Sequence, residues 1–369
     1  MNRRRLLATG LGALAAPALG ASAPARSRPL RVTLLGQALI EHAATSLIWP
    51  GRDALAARLS RADICFTNLE TVIRGPRAEG PTREPQTLHA GEPAVLETLK
   101  SVGVNLVATS NNHAFDLGSG GILDTVSAVE RAGIAFAGSG PDLAAAAAPG
   151  VRQTPAGAAA LVAFATGKVR EGGRATAAHP GVNALRRDAS GAPLAQDLDR
   201  ILDAIADARR RADVVIAYQH NHDWEPDMAE VPAWQRRLAR RCVDAGASLF
   251  AGHGAPVVQG MERYNGAPLF YGLGNFIFQT EKPPGAYPAQ AWRGVFVETA
   301  FVSGRLTRAR LVPIVLNEVG LDGPLDMATR GFPALAQGAE RRLVLRELRT
   351  RGAALESRLA VRSDGEVVL

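Results

Sequence analysis

Four groups of side chains able to bind a cation or move a proton punctuate this sequence, each closing a short apolar run. Asn68 and Glu70 follow Ile64-Cys65-Phe66-Thr67, and Asn111, Asn112, His113 and Asp116 follow Val104-Asn105-Leu106-Val107-Ala108. Gln219, His220, His222, Asp223 and Glu225 follow Val214 to Tyr218, and His253 follows Leu249 to Gly252. Gln37 stands in the same way behind a first run, Arg31 to Gly36. Apolar runs of this length bounded by polar residues read as buried strands. Amide oxygen, imidazole nitrogen and carboxylate oxygen all ligate hard or borderline divalent cations, and the strand ends of an α/β sheet are where such groups meet. Taken singly, each has an ordinary reading: Asn111 and Asp116 cap the next helix, and a lone histidine sits in a core. Their repetition at successive strand ends points to a metal-dependent hydrolase site, in which the cation polarises an oxyanion and lowers the pKa of bound water.

The elements that must position these groups alternate between strand and helix. Helices are predicted near Asp53 to Arg61, from Glu92-Pro93 to Gly103, and from Ile122 to Arg131 behind Gly118 and Gly121. Ala135 to Gly138 completes a βαβ unit with the Val104 run, and such crossovers build mostly parallel sheets. Ala158 to Thr166 is a further strand, and Ala144 to Ala148 a helical low-complexity stretch. Arg74 to Pro85 reads as a loop over the site, and Gly167 to Pro193, without periodicity, as a long excursion. Helices at Leu194 to Ala212 and Ala233 to Ala245 follow, with Arg236, Arg237, Arg240 and Arg241 expected on a solvated side. Leu269 to Phe278 reads as one strand broken by glycines, Gly294 to Val302 and Thr307 to Leu316 as a hairpin, and Ala334 to Arg351 as a last helix.

The chain has 369 residues, 47% apolar, enough for one large domain or two smaller ones. Residues 1–25 read as an export signal: Arg3-Arg4-Arg5-Leu6-Leu7 followed by a weakly apolar Ala/Leu/Gly run, with cleavage after Gly20 or Ala25. Paired arginines before two leucines match the twin-arginine form, which predicts a periplasmic or extracytoplasmic protein, and the run is short for a bilayer anchor. Net charge is +7, or +4 without Arg3, Arg4 and Arg5. The arginines are spread along helices instead of clustering with aromatics, which speaks against nucleic acid and allows an acidic polymer as ligand. Cys65 and Cys242 lie in apolar runs and read as two buried thiols.

Asn68-Leu69-Glu70, Asn111-Asn112-His113 with Asp116 and Gly118, His220 through Trp224-Glu225, Gly252-His253-Gly254, and Val258 to Tyr264 with Tyr271 to Phe278 resemble the CapA family of poly-gamma-glutamate capsule biosynthesis proteins, relatives of the calcineurin-like metallophosphoesterases. The resemblance covers roughly Leu30 to Leu316, with its most specific motifs at Asn111-Asn112-His113 and Leu273-Gly274-Asn275-Phe276-Ile277-Phe278. It implies an α/β fold, a four-layer α/β/β/α sandwich over residues 30–320, followed by a helical extension at 321–369. It implies a divalent cation (Mn, Zn or Fe) on Glu70, Asn112, His220 and His253, with His113 assisting the reacting oxygen as an acid and Asp116 orienting it. Asn68, Asn111, His222, Glu225 and Asn275 would line the substrate or support the ligands. Implied partners are an anionic polymer such as poly-gamma-glutamate and membrane synthase subunits. Two positions depart from the pattern: Gln37 replaces the usual Asp, and Ala255-Pro256 replaces a second histidine. Losing those ligands predicts a single, weak or absent ion, and with it two readings: a hydrolase or transferase on the polymer or a phosphoester, or a non-catalytic envelope protein that holds the polymer.

Overall fold

The computed structural model describes residues 28–44, 49–224, 226–324, 326–355 and 360–368. The export signal expected at 1–25 and the candidate residue Glu225 lie outside them. The architecture is mixed α/β with two main sheets. In the first, Leu30–Leu34 is central. It pairs in parallel with Ile64–Asn68, which leads on to Leu106–Ala108 and Ala135–Ala137, and antiparallel with the hairpin Arg293–Val302 and Arg305–Leu316. In the second, Gly157–Thr166, Val214–Asn221, Leu249–His253 and Ala267–Phe270 run parallel, with antiparallel strands at both edges.

Side-chain alternation along these strands decides where the site lies. Ile64 and Phe66, Ile216 and Tyr218, and Leu249 and Ala251 belong to one apolar cluster shared by both sheets. With a period of two, the next residues on the same face are Asn68, His220 and His253. The polar strand ends therefore continue the inner faces of the sheets. A second cluster joins the far side of the first sheet to helices Arg52–Leu59, Ala94–Ser101 and Gly118–Arg131 through Leu55, Leu99 and Val129. A third joins the far side of the second sheet to Ala195–Arg211 and Ala233–Asp244 through Ile201, Ile205, Leu238 and Cys242.

Several expectations are corrected. Leu269 to Phe278 is not one strand: Ala267–Phe270 belongs to the second sheet, while Asn275–Phe278 pairs with Gln37–Leu39. Gly274, at φ +68°, makes the break, in a left-handed conformation that favours glycine. The last helix begins at Gly338, because Pro333–Leu335 instead pairs with Arg305–Leu316. The segment expected as a helical extension also contributes Glu366–Val368 to the first sheet. Arg236 and Arg240 are not merely solvated; both donate to the buried carboxylate of Glu262, which also accepts from Tyr271. Cys65 and Cys242 are free and buried, and burial pushes both thiols up to about 12.

Candidate metal centre

Glu70 lies two residues beyond the end of its strand, where its backbone N–H donates to Ala38 O (2.9 Å) and fixes the turn. His220 ends the inner face of its own strand, and His222 follows one turn of the pleat later. Glu70 Oε1 lies 3.5 Å from His220 Nε2 and 3.9 Å from His222 Nε2, so one carboxylate and two imidazoles converge from the two sheets. Their ligand atoms all fall within 4.8 Å of one another. Asn112 Oδ1 joins them, 2.8 Å from His220 Nε2.

This arrangement is unsatisfied as it stands. Glu70 Oε2 and both ring nitrogens of His222 are buried without a hydrogen-bond partner, a costly state for polar atoms unless something else binds them. Burial pushes the Glu70 carboxyl up to about 8, with Asp116 adding to the shift and Arg83 opposing it. His220 and His222 are both held well below the usual imidazole range, chiefly by burial. Neutral imidazoles and a carboxylate in need of a counter-charge are the donor set a divalent cation takes, and the residues fit such an ion.

Around the trio the expected residues divide. Asn68 Nδ2 sits 3.4 Å from His220 Nδ1, and Asn68 Oδ1 accepts from Asn111 Nδ2 at 3.2 Å. Asn111 Oδ1 in turn accepts the His113 backbone N–H, so these two amides brace the ligands. His113 Nδ1 is 2.8 Å from Asp116 Oδ2. Burial, then the charges of His89, Arg83 and Arg170, hold the His113 imidazole well below its ordinary range. His253 stands outside the trio: its Nε2 is 3.1 Å from the Leu35 carbonyl, a contact in which the ring donates, and its Nδ1 is 3.3 Å from the Tyr218 hydroxyl. His253 therefore lies outside the group of candidate ligands, its Nε2 donating to a carbonyl, whereas His222, expected on the substrate side, lies inside it. Asn275 is likewise scaffold, donating to Ala291 O and Pro256 O.

The departure at Gln37 has a structural use. Its amide donates to Asn275 Oδ1 and accepts the Gly254 N–H, both at 2.9 Å, tying three loop starts together. A carboxylate cannot make the first of these bonds.

Sequence reasoning missed the clamp above His113. Arg83, on the loop expected to cover the site, donates from Nε to Asp116 Oδ1 (2.5 Å) and from its terminal nitrogen to the Asn112 carbonyl. His89 donates its backbone N–H to Asp116 Oδ2 (3.0 Å), pairs with Glu41 at 2.5 Å, and packs edge-on to His113 with ring centroids 4.4 Å apart. Burial lifts Asp116 to about 6, against the pull of Arg83. The only signal was the loop's charge; nothing in its spacing marks Arg83 or His89.

The family model "Bacterial capsule synthesis protein PGA_cap" matches residues 33–280, about two thirds of the chain and every residue of the trio. The chain belongs to this family. Among relatives, the PGA_cap chain is 29% identical over 308 residues to a "Probable polyglutamine synthesis accessory protein" of Mycobacterium tuberculosis, covering 81% of this chain and 78% of that one. It is 30% identical over 186 residues to the "PGA biosynthesis protein CapA" of Bacillus subtilis, covering 50% and 45%. An uncharacterised protein of Sinorhizobium fredii is 26% identical over 390 residues, covering 82% and 85%. No helix among the described residues is long and apolar enough to cross a membrane.

Proposed function

We propose that this PGA_cap protein is exported by the twin-arginine route and acts as a metal-dependent hydrolase or transferase on an anionic polymer, such as poly-gamma-glutamate, or on a phosphoester. The carrying observation is the unpartnered, buried convergence of Glu70 Oε2 and the His222 ring beside His220. Glu70, His220 and His222 would hold the ion, with Asn112 alongside. A divalent cation bound there supplies charge that polarises an ester or amide oxygen. The four-layer α/β/β/α order expected of a metallophosphoesterase relative is supported by the three successive apolar clusters.

The chain's own residues supply the proton chemistry. Asp116, held by Arg83 and the His89 N–H, accepts from His113 Nδ1 and leaves Nε2 as the basic nitrogen. A buried neutral imidazole in this tautomer would take at Nε2 the proton of the attacking water or acceptor hydroxyl and pass it to the leaving oxygen or nitrogen, so His113 enters as a base and leaves as an acid. The printed names of relatives in PGA and capsule biosynthesis are in keeping with such a polymer as the substrate, and membrane synthase subunits are the further partners this reading proposes.

A second reading, an envelope protein that binds the polymer without cleaving it, is favoured by Gln37, whose neutral amide is spent on the scaffold. Incubating the metal-supplemented protein with γ-glutamyl oligomers and aryl phosphates, beside His220→Ala, separates the two. Turnover that disappears in His220→Ala supports the enzyme; oligomer binding without turnover supports the second reading.

A further inference from the structure

We propose that Lys168 and Arg170, on the excursion after strand Gly157–Thr166, form an oxyanion subsite beside the candidate centre, seating a carboxylate or phosphate that the substrate carries next to the reacting bond. The location of that bond rests on the function proposed above; the subsite itself rests on the following geometry.

A continuous ring path leads out of the centre. The His220 and His222 centroids are 5.0 Å apart, His222 and Trp224 4.6 Å, and Lys168 Nζ lies 5.4 Å from the Trp224 centroid. Lys168 holds φ +44°, a left-handed backbone that few residues other than glycine adopt. The excursion is pressed onto the segment carrying Asn112 and His113: a Cβ at Gly173 would fall 3.0 Å from that of Phe115. Arg170 Nε is buried with no partner. Farther along the same excursion, Arg186 and Arg187 are spent on Asp197 and Asp223, and Arg83 on Asp116. Among the described residues no carboxylate pairs with Lys168 or Arg170. An exposed lysine over an aromatic face and an arginine with a buried, unpartnered nitrogen, both on a segment packed beside the candidate metal ligands, match a bound oxyanion.

The test titrates the full chain calorimetrically with inorganic phosphate and, separately, with a γ-linked glutamate oligomer, with and without manganese. Metal content is measured in parallel. Lys168→Met and Arg170→Met are each expected to weaken the preferred probe about tenfold, while Lys168→Arg retains it and metal content stays unchanged. The probe that loses affinity identifies the group as phosphate or carboxylate. Wild-type affinities in both Met variants, or no binding of either probe to the wild type, would overturn the subsite. Metal uptake distinguishes the failures: bound metal with unaltered probe affinity removes the subsite alone, whereas variant-sensitive probe binding without metal removes the metal centre alone.

Discussion

A carboxylate as buried as Glu70, with one oxygen unbonded and two neutral imidazoles as its nearest titratable neighbours, is costly as an anion unless a cation binds beside it. In the metal-free protein it therefore lowers stability once ionised. Its folded pKa, about 8, exceeds the ordinary 4.5, so metal-free stability falls as pH rises from about 4.5 through about 8. Glu70→Gln is expected to remove that pH dependence and to raise metal-free stability near pH 8 by about 1–3 kcal/mol, as urea melts at several pH values would show. At this scale the sequence marked Glu70, His220, Asn112, His113 and Asp116 because each sits at or just past an apolar run. It did not show that His222, rather than His253, lies with Glu70 and His220, because alternation says which way a side chain faces and not how far it reaches. Arg83 and His89 were illegible: their roles come from where an aperiodic loop folds back.

Among the elements, the excursion over residues 167–193 is held by Asp197, in the first turn of helix Ala195–Arg211. Asp197 accepts the Arg186 backbone N–H and side-chain bonds from Arg186 and Arg200. Burial alone would raise this carboxyl, but the bonds from Arg186 and Arg200 outweigh it and hold it at about 2. Its folded pKa lies below the ordinary 3.8, so its contribution is complete above that value and lost as pH falls through about 2. Asp197→Asn is expected to cost about 2 kcal/mol at pH 7, a difference that shrinks in acid melts as pH approaches 2. The helices and long strands were legible from their periodicity. The split of Leu269 to Phe278 was not, since a glycine break inside one strand and a crossover between two sheets look alike in sequence.

For the whole molecule, two sheets share one apolar core, and the candidate centre caps the rim of that core where the inner faces turn polar. Strand-helix alternation made the α/β class readable, but not that the chain after residue 321 returns a strand to the first sheet, because that pairing is long-range. Export belongs to this scale as well. Replacing Arg4 and Arg5 with lysine is expected to retain the protein in the cytoplasm, which cell fractionation would show; unchanged export would contradict the twin-arginine assignment. The centre itself is tested most directly by the metal content of protein purified without chelator or affinity metal, in wild type, His222→Ala and His253→Gln. About one equivalent of divalent metal is predicted in the wild type and in His253→Gln, and loss of it in His222→Ala. Metal that survives His222→Ala but disappears with His253→Gln, or no metal in any of the three, would contradict a centre built on Glu70, His220 and His222.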